Sequence, residues 1–206
     1  MMVWGMQNRV YWNLYWSKKR IVVRFIDFIK NEYFLRVIYD YLRQLKHNSK
    51  ILEVGCGNGN LLEKFYGKKI IGIDISPIAI KMSKKKKKNS LTIGDIFNLN
   101  FNENTFDLVF SNGLIEHYLD KTEQIIREKY RVAKKGGYIV SIISNNKFLR
   151  NLLFNFIYFW DKEKVNKIKN YKNYFESLLP KISNEYKIET LPRSMGTLMV
   201  IKVKKC

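Results

Sequence analysis

The sequence predicts an α/β fold in which one mostly parallel sheet of seven strands carries helices on both faces, and three observations support it. From Lys50 onward, short apolar runs alternate with helix-length segments, the rhythm of strands joined by crossover helices. The first run, Ile51-Leu52-Glu53-Val54, passes directly into a glycine loop, Gly55-Cys56-Gly57-Asn58-Gly59, as a buried strand entering a sharp turn would. Two closing runs, near Tyr186 to Leu191 and Thr197 to Val203, are close enough to pair as an antiparallel edge.

Taken in order, the segment between Gly5 and His47 has helical spacing. Ile21, Phe25 and Ile29 share one face, and Leu35, Ile38, Leu42 and Leu45 share another. Strands follow at Lys50 to Val54 and Lys69 to Asp74, separated by a predicted helix from Asn60 to Tyr66. A helix from Pro77 to Lys86 begins with proline at a position whose amide has no helical partner, and the lysines Lys84 to Lys88 suit its end, where cations meet the helix dipole. Next come a short strand Leu91 to Gly94, a strand Phe106 to Ser111, a helix Lys121 to Ala133, the turn Lys134-Lys135-Gly136 and a strand Gly137 to Ile143. After Asn145 the alternation stops, and residues 146 to 180 read as an aromatic helical insertion between the fifth and sixth strands.

At 206 residues the chain fits a single domain. It divides into N-terminal helices (1–49), a core (50–143), an insertion (144–183) and a closing strand pair (184–206). No run reaches the roughly 18 apolar residues of a spanning helix, and the start lacks the basic and apolar regions of a signal peptide. Two cysteines, Cys56 and Cys206, form no disulfide framework, so a reducing cytoplasm is the expected home. The net charge of +20 admits nucleic acid, an anionic membrane surface or acidic molecules as partners, but lysine abundance across the whole chain equally fits a compositional bias.

Carboxylates around the glycine loop narrow the ligand. Asn60 stands where a dinucleotide fingerprint has its third glycine, which disfavours a nicotinamide cofactor. Glu53 beside the loop would repel a pyrophosphate and suits a cation. Asp74 ends the second strand, 19 residues after Gly55, where it can accept from both hydroxyls of a ribose, and Asp95 follows the third, where it can accept from an exocyclic amine. Together these describe an adenosine with a positively charged tail.

The motifs E-V-G-C-G-N-G (53–59), G-I-D-I-S (72–76), G-D-I (94–96), F-N-E-N-T-F-D-L-V-F-S-N-G-L-I-E-H (101–117) and V-A-K-K-G-G-Y-I-V (132–140) resemble, in order, those of the class I S-adenosylmethionine-dependent methyltransferases of the small-molecule, type 11-like kind. The resemblance covers about half the chain. It implies a Rossmann-like sheet with an antiparallel last strand, and S-adenosylmethionine as cofactor. Carried onto this chain, it implies that Gly55, Cys56, Gly57 and Gly59 pass under the methionine, with Glu53 orienting its charged end. Asp74 would hold the ribose, Ile75 would pack on the adenine, and Asp95 with the Ile96 amide would read the adenine edge. Ser111 and Asn112 would border the methyl group.

His117 is the candidate base, since an imidazole titrates near neutrality and its segment follows the fourth strand. The alternative for it is a packing or capping role. Glu116 can serve the cofactor indirectly or cap a helix. The histidines and cysteines are too scattered to predict a metal site, and no motif for nucleic-acid base methylation is present. The expected acceptor is a small or lipid-like molecule met by the N-terminal aromatics, Trp4, Tyr11, Trp12, Tyr15 and Trp16, and by the stripe from Phe148 to Trp160, which also allows peripheral membrane contact. The alternatives are an RNA or protein methyltransferase using the basic surface, and a module that binds the cofactor without transferring a methyl group.

Overall fold

The computed structural model describes residues 2–17, 35–39, 41–62, 65, 69–83, 90–144, 171–190 and 198–206. Seven strands form one sheet: β1 (Lys50–Val54), β2 (Lys69–Asp74), β3 (Leu91–Ile93), β4 (Phe106–Asn112), β5 (Ala133–Ser144), β6 (Tyr186–Thr190) and β7 (Leu198–Lys204). Their order across the sheet is β3-β2-β1-β4-β5-β7-β6. Pairing is parallel from β3 through to β5, whereas β7 runs antiparallel to β5 on one side and to β6 on the other. The final pair is therefore antiparallel as expected, with β7 inserted between β5 and the edge strand β6.

Alternation along the strands divides the apolar side chains between two cores. Leu52, Val109, Ile139 and Ile201 face one side, where helix α3 (Thr122–Val132) adds Ile125, Ile126 and Val132 and helix α4 (Tyr171–Leu178) adds Phe175 and Leu178. Ile51, Leu108, Phe110, Val140 and Val200 face the other, against Ile38 of the helical residues 35–39. Leu35, Leu42 and Leu45 pack beside them, the face expected from their spacing. Both faces are thus covered, as a parallel sheet requires. Helix α1 (Met2–Ser17) lies toward the carboxyl ends of the strands, against the short helix α2 (Pro77–Lys81).

Two expectations change. The described part of 60–66 is not α-helical: Gly59 accepts from Leu62, and Leu62 from Phe65, so the chain advances by tight three-residue turns of the 3-10 kind. These send Leu62 to a small cluster with Cys56 and Leu91 while Leu61 and Phe65 enter the core beneath β1 and β4. The turn at Lys134 to Gly136 is a looped-out bulge within β5, where Phe106 pairs with Ala133 but Leu108 pairs with Tyr138. Gly136 makes this possible with a φ of 74°. The run Lys84 to Lys88, the pattern Ile21 to Ile29 and the stripe Phe148 to Trp160 lie outside the described residues.

Candidate functional site

A cleft opens beyond the carboxyl ends of β1, β2, β3 and β4, the place where open α/β sheets bind ligands. It holds about 1090 Å³, mouth included. The sheet contributes its floor and α1 one wall, through Trp12, Tyr15 and Trp16.

The glycine loop adopts a conformation that its composition permits: Gly55, Gly57 and Gly59 have φ of 75°, 56° and 71°. Its anchor is Asp74, which is 8% exposed. One carboxylate oxygen accepts the Gly57 amide at 2.8 Å and the other accepts the Ser76 amide at 2.9 Å. Asp74 therefore joins two strand ends while its edge faces the cleft. Burial raises its pKa above the ordinary carboxylate value, against the opposing pull of the Ser76, Gly57 and Ile75 amides. Ser76 caps α2 by accepting the Ala79 amide at 3.2 Å, and its hydroxyl donates to Asn13 of α1 at 2.6 Å.

Of the predicted residues, Glu53, Gly55, Cys56, Gly57, Asp74, Ile75, Asp95, Ile96, Asn112 and His117 all line this cleft. Asp95 accepts the Phe97 amide at 3.0 Å, closing the turn that presents Ile96. Cys56 is buried, and both its burial and the nearby charges of Glu53 and Asp74 push its thiol pKa well up. It stays a protonated thiol, which disfavours nucleophilic chemistry there.

Two predicted residues fall outside the lining. Gly59 turns toward Leu91 and Leu62, where an added Cβ would meet Leu91 at 3.0 Å. Ser111 is fully buried on the opposite face of β4, where its hydroxyl accepts from Lys129 Nζ at 3.0 Å. Successive residues of a strand face opposite ways, so Asn112 reaches the cleft and Ser111 does not.

Sequence reasoning missed three features. Trp12 donates from its indole nitrogen to the Tyr118 hydroxyl at 2.6 Å and meets the His117 ring edge-on, with centroids 4.9 Å apart. Trp16 lies against Gly57, where an added Cβ would sit 2.3 Å from Cζ2 of the indole. Lys129 of α3 is fully buried, donating to Ser111, to the Val140 carbonyl at 3.1 Å and to the Ser141 hydroxyl at 2.6 Å. The aromatic content of α1 signalled the first two. The stripe of Ile125, Ile126 and Val132 placed position 129 on the buried face, but lysine chemistry suggested the surface.

The Trp16 contact yields a measurable consequence. Gly57→Ala forces a methyl group into the indole and a side chain into a left-handed backbone, at a cost of about 1–3 kcal/mol. The melting temperature falls and tryptophan emission shifts to the red as Trp16 leaves its 9% exposed position. Unchanged emission would show that the helix and the loop are not coupled.

Residues 52–141 match the family described as "Methyltransferase domain". The chain is 38% identical over 105 residues to norajmaline N-methyltransferase of Rauvolfia serpentina, covering 46% of this chain and 36% of that one. It is 34% identical over 125 residues to malonyl-[acyl-carrier protein] O-methyltransferase 1 of Ilyobacter polytropus, covering 52% and 44% respectively. The chain thus spans less than half the length of these relatives. Among solved structures, phosphoethanolamine N-methyltransferase 2 of Haemonchus contortus, in complex with phosphomonomethylethanolamine and S-adenosylhomocysteine, superposes with a TM-score of 0.63 at 16% identity, covering 82% of this chain and 52% of that one. At that identity the likeness concerns the fold.

Proposed function

We infer, for a chain that belongs to the class I S-adenosylmethionine-dependent methyltransferases, that it transfers a methyl group from that cofactor to a small-molecule acceptor. The observation that carries this reading is the set of acceptors in the cleft: Glu53, Asp74 and Asp95 stand at three strand ends around a loop of left-handed glycines. These groups fit the cofactor. A carboxylate beside the loop matches its cationic methionine end, and two further acceptors match the ribose hydroxyls and the adenine amine.

When bound, the cofactor supplies a methyl group on a positively charged sulfur that departs as a neutral thioether. The protein's task is alignment and, for a protonated nucleophile, removal of a proton. Asp74 fixes both the loop and the ribose. Asn112 borders the transfer point, and His117, held against Trp12, takes the proton. Helix α1 supplies the acceptor side through Trp12 and Tyr15. No described helix is long and apolar enough to cross a membrane.

A screen of cell extract with radiolabelled cofactor, followed by mass spectrometry of the labelled product, tests the reading. A labelled small molecule is the expected result. Tight cofactor binding with no labelled product would instead assign the chain to a cofactor-binding module, and label in RNA or protein would move the acceptor class. His117→Ala is expected to lower kcat by about 100-fold or more while leaving calorimetric cofactor affinity intact. An unchanged kcat would reduce His117 to a packing partner of Trp12.

A further inference from the structure

We propose that Trp16 is a gate on the cofactor site: its indole rests on the part of the glycine loop that S-adenosylmethionine must cross, and cofactor and ring exclude one another there. The proposal rests on the methyltransferase reading and adds a step to it, displacement of the last turn of α1, that controls access to the loop.

An alanine Cβ at Gly57 would stand 2.7 Å from Cη2 of Trp16. Its bond to the α-carbon is about 1.5 Å, so the ring comes within about 4.2 Å of the Gly57 main chain, which is van der Waals contact. A side chain serving as the far wall of an open site would stand two such contacts from the floor, roughly 7 Å, with the thickness of the ligand between them. Trp16 leaves no such layer. It is 9% exposed, and both it and Gly57 line the cleft.

The contact falls where the ligand has to pass. Asp74 accepts the Gly57 amide at 2.8 Å, and Glu53 lies near the end of β1, just before the loop. A molecule that offers a ribose to Asp74 and a cationic end to Glu53 runs along the main chain between them, over Gly57. Glycine with a φ of 56° keeps that surface bare, and the six-membered ring of the indole covers it.

Helix α1 is held so that this turn can move alone. Trp12 Nε1 donates to the Tyr118 hydroxyl at 2.6 Å, and Asn13 Oδ1 accepts from the Ser76 hydroxyl at 2.6 Å. Tyr118 follows β4 and Ser76 follows β2, with β1 between those strands, so a helix tied to both crosses above the end of β1, where the loop begins. Trp16 stands one turn beyond Trp12, about 6 Å along the axis, in the turn that ends at Ser17. Carbonyls of a last turn have no helical partner, so a helix unwinds there first. This one carries no basic side chain to favour the helix dipole, and its Leu14 is 54% exposed, so little apolar burial besides that of the ring is given up.

The consequence is a closed state that takes no cofactor. Apparent affinity is lowered by the fraction of molecules whose loop is uncovered. By linkage, bound cofactor holds the last turn of α1 open to the same extent. Trp12 stays on Tyr118 and His117 throughout, so the acceptor side keeps its wall while the cofactor side opens.

Calorimetry with S-adenosylhomocysteine on the full chain tests this, comparing the wild type with Trp16→Ala and Trp16→Phe. Removal of the ring is expected to tighten binding at least about threefold, with the phenylalanine variant in between. Equal or weaker binding by Trp16→Ala overturns the proposal, because a wall residue that packs on the cofactor costs affinity when it is lost. Acrylamide quenching gives a second readout with the native ring in place. The Trp16 contribution, taken as the difference from Trp16→Phe, is expected to become more accessible and red-shifted when S-adenosylhomocysteine saturates the protein. A contribution that stays as shielded, or becomes more so, overturns the proposal. Failure of both the wild type and Trp16→Ala to bind S-adenosylhomocysteine overturns the methyltransferase reading itself, so the two failures are distinguishable.

Discussion

Asp74→Ala is expected to lower affinity for S-adenosylmethionine by about 100-fold or more, the loss of two hydrogen bonds to a charged acceptor at about 1.5–3 kcal/mol each. The substitution acts twice. It removes the proposed ribose acceptor, and it leaves the Gly57 and Ser76 amides without the carboxylate oxygens they now reach at 2.8 and 2.9 Å. The glycine loop then loses its tie to β2, so the thermal midpoint falls along with affinity. Asp74→Asn separates the two effects. It keeps the shape and one acceptor oxygen, but turns an NH₂ group toward an amide donor, so an intermediate affinity and a smaller loss of stability follow. Acidification offers a milder probe: burial raises the Asp74 pKa, and affinity should begin to fall at a higher pH than for a solvent-exposed carboxylate. Calorimetry and thermal melting measure all three effects. Wild-type affinity in the alanine variant would place the cofactor elsewhere.

How much of this was legible beforehand depended on whether a feature was local or arose from packing. Strands such as Lys50–Val54 and Lys69–Asp74 were readable to the residue, because apolar runs bounded by glycine, lysine and aspartate are signals carried by the run itself. That Glu53, Asp74 and Asp95 share one cleft was readable because the fold brings successive strand ends to one edge, so order along the chain becomes order across the cleft. Ser111 was misplaced by the same logic. Being at a strand end does not fix which way a side chain faces, and a shift of one residue reverses it. The turns after Gly59 are of the tighter 3-10 kind, with Leu61 and Leu62 drawn into different clusters, a division no periodicity encodes. The closure of α1 over the loop was illegible for another reason: a rich set of aromatics says that a helix will be buried, not on what.

Lys129 gives the second large effect, in stability. Its ammonium is surrounded by the hydroxyls of Ser111 and Ser141 and the Val140 carbonyl, at 3.0, 2.6 and 3.1 Å. These dipoles solvate a charge only in part, and burial depresses the lysine pKa from 10.5 to about 7. The unfolded chain therefore binds more protons than the folded one between those two values, and stability rises with pH across that window. Below about pH 7 the folded lysine is charged and the penalty is complete, on the order of 5 kcal/mol; it vanishes above about pH 10.5. Other lysines also lose charge on this highly cationic chain as pH rises, relieving repulsion, so the site must be isolated by difference. Lys129→Met keeps the length and roughly the volume while removing the charge. Denaturant unfolding of both chains from pH 6 to pH 10 should show the methionine variant more stable by about 3 kcal/mol or more at the acid end, with the curves converging as the lysine discharges. Parallel curves would mean that Lys129 stays protonated throughout, its charge satisfied by the three oxygens, and that the helix was built to bury an ammonium rather than to tolerate one.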